Sequence, residues 1–157
     1  MKQNSGQTLI EVIIATGLVV LVLTTLVSGV ALGIRNNRYA KDSALSKEYV
    51  REAAEWLRGQ RDLSGWGTFA NILQADASGN TVNYCLDTLP AGTQSFSTKG
   101  SSTCSGSQKI VNKFTRQMTI RLTGSPPVQA DATITVTWVD GTRTFTSTST
   151  VSLYQWK

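Results

Sequence analysis

The sequence contains no histidine, which removes the side chain most used as a general base near neutral pH and the commonest metal ligand. Its two cysteines are too few for a closed zinc site without imidazole, so zinc fingers and His/Cys metalloenzymes do not fit. Charge is scarce: 16% of residues carry it, and 15 Lys/Arg against 10 Asp/Glu leave a mild +5. No proline occurs between Met1 and Thr88, so nothing in that stretch forbids a continuous helix. A phosphate-cradling glycine loop is also missing, because Gly65-Trp66-Gly67 follows a helical pattern rather than a strand and lacks the remaining motif. Ser95, Ser97 and the run Ser101 to Ser107 offer hydroxyls without a base and read as a solvated loop, so no catalytic site, cofactor or metal is expected. At 157 residues the chain has room for one domain and one accessory element.

What the sequence does have is a long uncharged run. From Val12 to Ile34 there are 23 residues without a charge, about 35 Å as a helix and enough to cross a hydrocarbon core of about 30 Å. A secretory signal peptide is the bland alternative, but it needs a short apolar region ended by a small-residue cleavage site. Here the helical pattern continues through Arg35, Arg38, Tyr39, Ala40 and Lys41. Glu11 stands at the start of the run, in Leu9-Ile10-Glu11-Val12, where a carboxylate needs either the membrane surface or a cationic partner. Gly29 and Gly33 are four apart and Ala15 precedes Gly17, small faces that permit close helix approach, although such spacing also arises by chance in apolar helices.

The helical pattern extends past the run. Leu45, Tyr49, Ala53, Trp56 and Leu57 recur at three or four residues and draw a stripe for packing, while Arg51–Glu55 and Glu55–Arg58 are spaced for exposed ion pairs. A helix from about Thr8 to Leu63 is about 84 Å long, too long for one small core, so its first half must be covered by something other than this chain. A lipid bilayer and a bundle of neighbouring subunits both suit that surface.

The segment Gly6-Gln7-Thr8-Leu9-Ile10-Glu11-Val12 resembles the processing site of type IV prepilins and type II secretion pseudopilins. The resemblance implies a leader of residues 1–6, cleavage between Gly6 and Gln7 by a membrane prepilin peptidase that also N-methylates the new terminus, and a role for Glu11 in pairing with a neighbouring subunit's amine during assembly. Gln7 stands where the family usually has Phe or Met, and the helix-bending proline common in major pilins is absent, which favours a minor pilin or pseudopilin. Arg35 to Ala40, Glu52 to Arg58, Trp138 to Gly141 and Tyr154 to Lys157 look like the minor pilin branch related to the I-type pseudopilins. Flanking charge, Lys2 against Arg35, Arg38 and Lys41, slightly favours the opposite topology; the family implies the leader in the cytoplasm and the C-terminal domain outside.

The second part of the chain is rich in hydroxyls, with 29 of 37 Ser and Thr after Leu63, yet keeps nine aromatics there, which suits a Thr-rich β domain. Ser64-Gly65-Trp66-Gly67 is expected to end the helix, with Phe69 to Leu73 as a short helical or irregular connection. Thr81 to Leu86 alternates, Phe114 to Leu122 does so with Arg116 as an interruption, and Pro126-Pro127 breaks the chain before the next strand. Thr133 to Val139, Asp140-Gly141 and Thr142 to Thr148 predict a hairpin with a two-residue turn, placing Trp138 beside Arg143, Val136 beside Phe145 and Ile134 beside Ser147. Cys85 and Cys104 flank a Gly/Ser/Thr-rich loop; in an oxidising exterior a disulfide is expected, against two buried reduced thiols.

The expected fold is α+β and pilin-like: one long N-terminal helix whose second half packs on a small antiparallel sheet. Residues 1–6 form the leader, 7–34 the membrane and filament-core segment, 35–63 the amphipathic continuation and 64–157 the β domain. The expected function is noncatalytic: a minor pilin that takes part in priming or assembling a type IV pilus. A type II secretion pseudopilin is the alternative, and a single-span membrane-anchored binding domain a more distant one. Partners implied are the prepilin peptidase, other major and minor pilins or pseudopilins, an inner-membrane assembly platform and the lipid bilayer. Lys99, Lys109, Lys113, Arg116 and Arg121 would suit DNA if they formed one patch, but they read equally well as an ordinary strand exterior.

Overall fold

A computed structural model describes residues 5–90 and 102–155, with backbone only for residues 5–8. The fold is α+β: a long N-terminal helix, α1 (Ser5–Asp76), followed by β1 (Thr81–Cys85), β2 (Thr115–Thr123), β3 (Gln129–Asp140) and β4 (Arg143–Tyr154). The strands form one antiparallel sheet in the order β1-β2-β3-β4. The chain divides into two compact units, Met1–Lys41 and Asp42–Lys157, with the division inside α1.

In the first unit α1 is helical throughout the described residues, and no residue from 9 to 41 is buried. Leu9, Val12, Leu18, Leu26 and Ile34 are each more than half exposed. This helix is long and apolar enough to cross a membrane.

In the second unit the helix buries Val50, Ala53, Ala54 and Leu57, with Leu45, Tyr49 and Trp56 partly covered. The expected stripe is therefore the packing face, widened by the small residues that let the helix approach the sheet. Of the expected exposed pairs, Arg51 and Glu55 meet at 3.3 Å. The helix does not end at Ser64. Gly65 takes φ 72°, ψ 155°, breaks the helical path, and the helix resumes to Asp76. Positive φ suits glycine because it has no Cβ to clash. The Ser64 hydroxyl donates to the Gln60 carbonyl just before the break, and the Trp66 indole donates to the Pro127 carbonyl at 2.9 Å just after it. The resumed segment buries Phe69, Ala70 and Leu73, so the expected loose connection is a second packing helix in a new direction.

The sheet buries one face by strict alternation: Arg116, Met118, Ile120 and Leu122 on β2 and Ala130, Ala132, Ile134, Val136 and Trp138 on β3. The outer face carries Thr115, Gln117 and Thr119, then Thr133, Thr135 and Thr137, then Thr146, Thr148 and Thr150, aligned in rows by the strand registers. The hairpin forms with a different turn from the one expected. Asp140 pairs with Arg143, and Gly141-Thr142 is the two-residue loop, with Gly141 at φ 63°. A positive φ at only the first central residue is the type II′ pattern, whose hand matches strand twist. Every pairing moves by two residues, so Trp138 lies beside Phe145 and Val136 beside Ser147. Because strand side chains alternate with period two, the expected apolar and Thr faces survive the shift. The correct register stacks Trp138 on Phe145, ring centroids 5.5 Å apart.

Between β2 and β3, Gly124 sits at φ 96°, and a Cβ there would meet the Pro126 carbonyl oxygen at 2.9 Å. Gly124→Ala combines a disfavoured backbone with a collision against backbone, and is expected to cost about 2 kcal/mol. Chemical denaturation of the full chain in micelles reads this as a lowered midpoint at unchanged slope.

Candidate functional site

The expected assembly site lies at the start of α1. Gly6 and Gln7 fall in the helical backbone, their side chains outside the described ones, as are residues 1–4 of the expected leader. Glu11 is exposed on the helix, and no ion pair or hydrogen bond reaches it among the described residues. Gly17, Gly29 and Gly33 face open space: a Cβ built on any of them meets no atom within 4 Å. They leave flat positions on a helix surface that this chain does not cover.

The hydroxyls of the apolar stretch behave differently from Glu11. Thr16 donates to the carbonyls of Val12 and Ile13, Thr24 to Leu21, Thr25 to Val22 and Ser28 to Thr24. These are all the hydroxyls between Leu9 and Ile34, so each polar side chain there except Glu11 is satisfied inside its own helix. Back-bonding of this kind lets Ser and Thr reside in hydrocarbon at small cost. The signal was present in the sequence, as hydroxyl residues three or four positions after a helical carbonyl.

In the second unit, the helix is fastened to the sheet by polar contacts that the strand patterns did not suggest. Arg116, 2% exposed, donates through Nε to the Leu86 carbonyl at 2.9 Å and through one terminal nitrogen to the Tyr49 carbonyl at 3.0 Å. The same nitrogen lies 2.6 Å from the Glu52 carboxylate. Lys113 pairs with Asp42, carried there by Val111 and Asn112, both in left-handed backbone conformation at φ 49° and 56°. Such a conformation is costly for a β-branched residue. The Tyr84 hydroxyl donates to Asp76 at 2.9 Å. Burial, then that hydrogen bond, then the carboxylate's charge raise its pKa, so Tyr84 stays a neutral donor.

These contacts dissolve the basic grouping that would have suited DNA. Arg116 is buried and paired, Lys113 is tied to Asp42, and Lys99 lies outside the described residues. Cys85 and Cys104 are joined in a disulfide. It closes a loop whose residues 91–101, including Ser95 and Ser97, lie outside the described residues. The Ser102 amide next to the bridge donates to the Asn83 carbonyl on β1 at 2.8 Å. No group of three or more acidic or cysteine side chains able to hold a metal occurs among the described residues.

Comparison of the chain with known protein families, with curated proteins and with solved structures finds no match.

Proposed function

We propose that this chain is a noncatalytic minor pilin, stored in the cytoplasmic membrane through residues 7–34 and drawn from it into a type IV pilus. The observation that carries the proposal is Glu11. It is the single polar side chain between Leu9 and Ile34 without a partner in its own helix. A carboxylate in that setting calls for a cation from another molecule, and the amine released at a neighbouring subunit's terminus has the right charge. The apolar surface around it is exposed in the single chain, which suits a helix that exchanges lipid contacts for contacts with other helices. Gly17, Gly29 and Gly33 supply positions for close approach.

The processing motif at Gly6-Gln7 links this chemistry to the prepilin peptidase, and the domain beyond Lys41 then lies outside the cytoplasm. A pseudopilin of a type II secretion system would use the same helix in the same way.

Mass spectrometry of the intact protein and its N-terminal peptide, taken from the native membrane with and without the peptidase, tests the proposal. The expected result is a chain beginning at Gln7 with the peptidase and at Met1 without it. A chain that keeps residues 1–6 while the peptidase is active would leave a membrane-anchored binding domain in place of a filament subunit.

A further inference from the structure

The sheet has two edges, and they are treated differently. On β2, the Arg116 carbonyl accepts from the Leu86 amide and the Leu122 amide donates to the Asn80 carbonyl, so even-numbered β2 residues direct their backbone groups to β1. In an antiparallel sheet, successive residues point these groups to opposite sides. Following the registers, odd residues of β2 and β3 bond each other, even residues of β3 bond odd residues of β4, and even residues of β4 face outward. The Gln155 amide, which donates to the Val128 carbonyl at 3.1 Å, fits the same alternation.

On the β1 edge the outward carbonyls of Thr81 and Asn83 are occupied, by the amides of Ser78 and Ser102. On the β4 edge the outward backbone groups of Thr144, Thr146, Thr148, Thr150, Ser152 and Tyr154 have no hydrogen-bond partner. That edge is 12 residues long, with no proline and no charge after Arg143. Proteins normally blunt such edges with short strands, inward charges, proline or a cover, and this chain does so at β1 and not at β4.

We propose that the free edge of β4 is a docking site for an extended strand of a different polypeptide, added to the sheet by main-chain hydrogen bonds. The occupant must be uncharged along its length, since it would lie beside Thr and Ser on the outer face and beside Val151 and Leu153, both buried, on the inner one. An acidic residue beside exposed Arg143 is the one charge that fits. A second copy of the chain fits poorly. Its β1 edge is already capped, and symmetric pairing of β4 with β4 would run the helices of the two copies in opposite directions, which chains anchored alike in one bilayer do not allow.

The test uses the full-length chain, disulfide intact, in detergent micelles. The probe is a synthetic peptide copying Gln129–Asp140, with two lysines added at each end for solubility. Amide hydrogen exchange is followed residue by residue. At a peptide concentration of ten times its Kd, exchange at Thr146, Thr148 and Thr150 is expected to slow about tenfold, while Ser147 and Ser149, already bonded to β3, are unchanged. Thr148→Pro removes an outward amide but no ladder bond. It is expected to abolish this protection while lowering the thermal midpoint by no more than about 4 °C; Ser149→Pro, which breaks a ladder bond, should lower it more than twice as far.

Unaltered exchange at the even-numbered amides up to the solubility limit of the peptide would overturn the proposal, as would protection that ignores the odd–even pattern. Protection of the same amides in the chain alone, rising with its concentration, would replace the partner strand with a second copy. None of these outcomes depends on whether the leader is cleaved, so the docking edge and the filament role stand or fall separately.

Discussion

Replacing Arg116 with alanine is expected to destabilise the second unit by about 3 kcal/mol, because two carbonyls then lose their donor in a site water does not reach. The side chain is 2% exposed and its Nε and terminal nitrogen hold the carbonyls of Leu86 and Tyr49, so the loss joins the strand layer and the helix. The ion pair with Glu52 contributes less, since the Glu52 side chain is 55% exposed and water screens it. Glu52→Gln, which keeps an acceptor, should therefore cost at most about 1 kcal/mol. Thermal unfolding of the full chain in micelles separates the two: the arginine variant should melt about 6–12 °C lower, the glutamine variant within about 4 °C of the parent. Equal shifts would make the carboxylate, rather than the carbonyls, the reason for burying a guanidinium.

The second large effect is expected from the disulfide. Opening Cys85–Cys104, 19 residues apart in sequence, returns loop-closure entropy to the unfolded chain and should cost about 3 kcal/mol. The variant with both cysteines changed to serine measures this by denaturation under conditions where the parent stays oxidised. A local consequence distinguishes it from Arg116→Ala. The Ser102 amide, which caps the Asn83 carbonyl, sits two residues from Cys104 and should exchange faster when the bridge is gone. An unchanged Ser102 amide would mean the loop is held by packing alone.

The fold class and the strand faces were legible because both rest on periodicity. Val82 and Tyr84, Met118 and Ile120, and Ile134 and Val136 are buried where alternation placed them. Register was less legible. Asp-Gly and Gly-Thr are both serviceable two-residue turns, and the choice fell to Gly141-Thr142, which also stacks Trp138 on Phe145. The helix beyond Gly65 was hidden for a related reason: a glycine with positive φ marks a change of direction, and sequence cannot say whether helix or loop follows.

Polar fastening was the least legible part. Arg116 reads as a flaw in an apolar strand face until the carbonyls of Tyr49 and Leu86 are brought to it, the first from 67 residues away. Lys113 and Asp42 are 71 residues apart, and no local pattern pairs them. Glu11 was conspicuous for the opposite reason, since its neighbours in sequence alone make it anomalous. The back-bonded hydroxyls sharpen that anomaly by removing every other polar side chain of the stretch from consideration.

The fastening points also decide how the second unit carries mechanical load. Tension drawn along the helix from its Asp42 end is passed to the sheet at Lys113, just ahead of β2, and at Arg116 within it. β2 is bonded on both sides, to β1 and to β3. A pull therefore enters at an interior strand and is shared between two ladders, where the same pull on β4 would peel one ladder from its end. A subunit hauled by its N-terminal helix would be gripped by its sheet at the strand hardest to strip away.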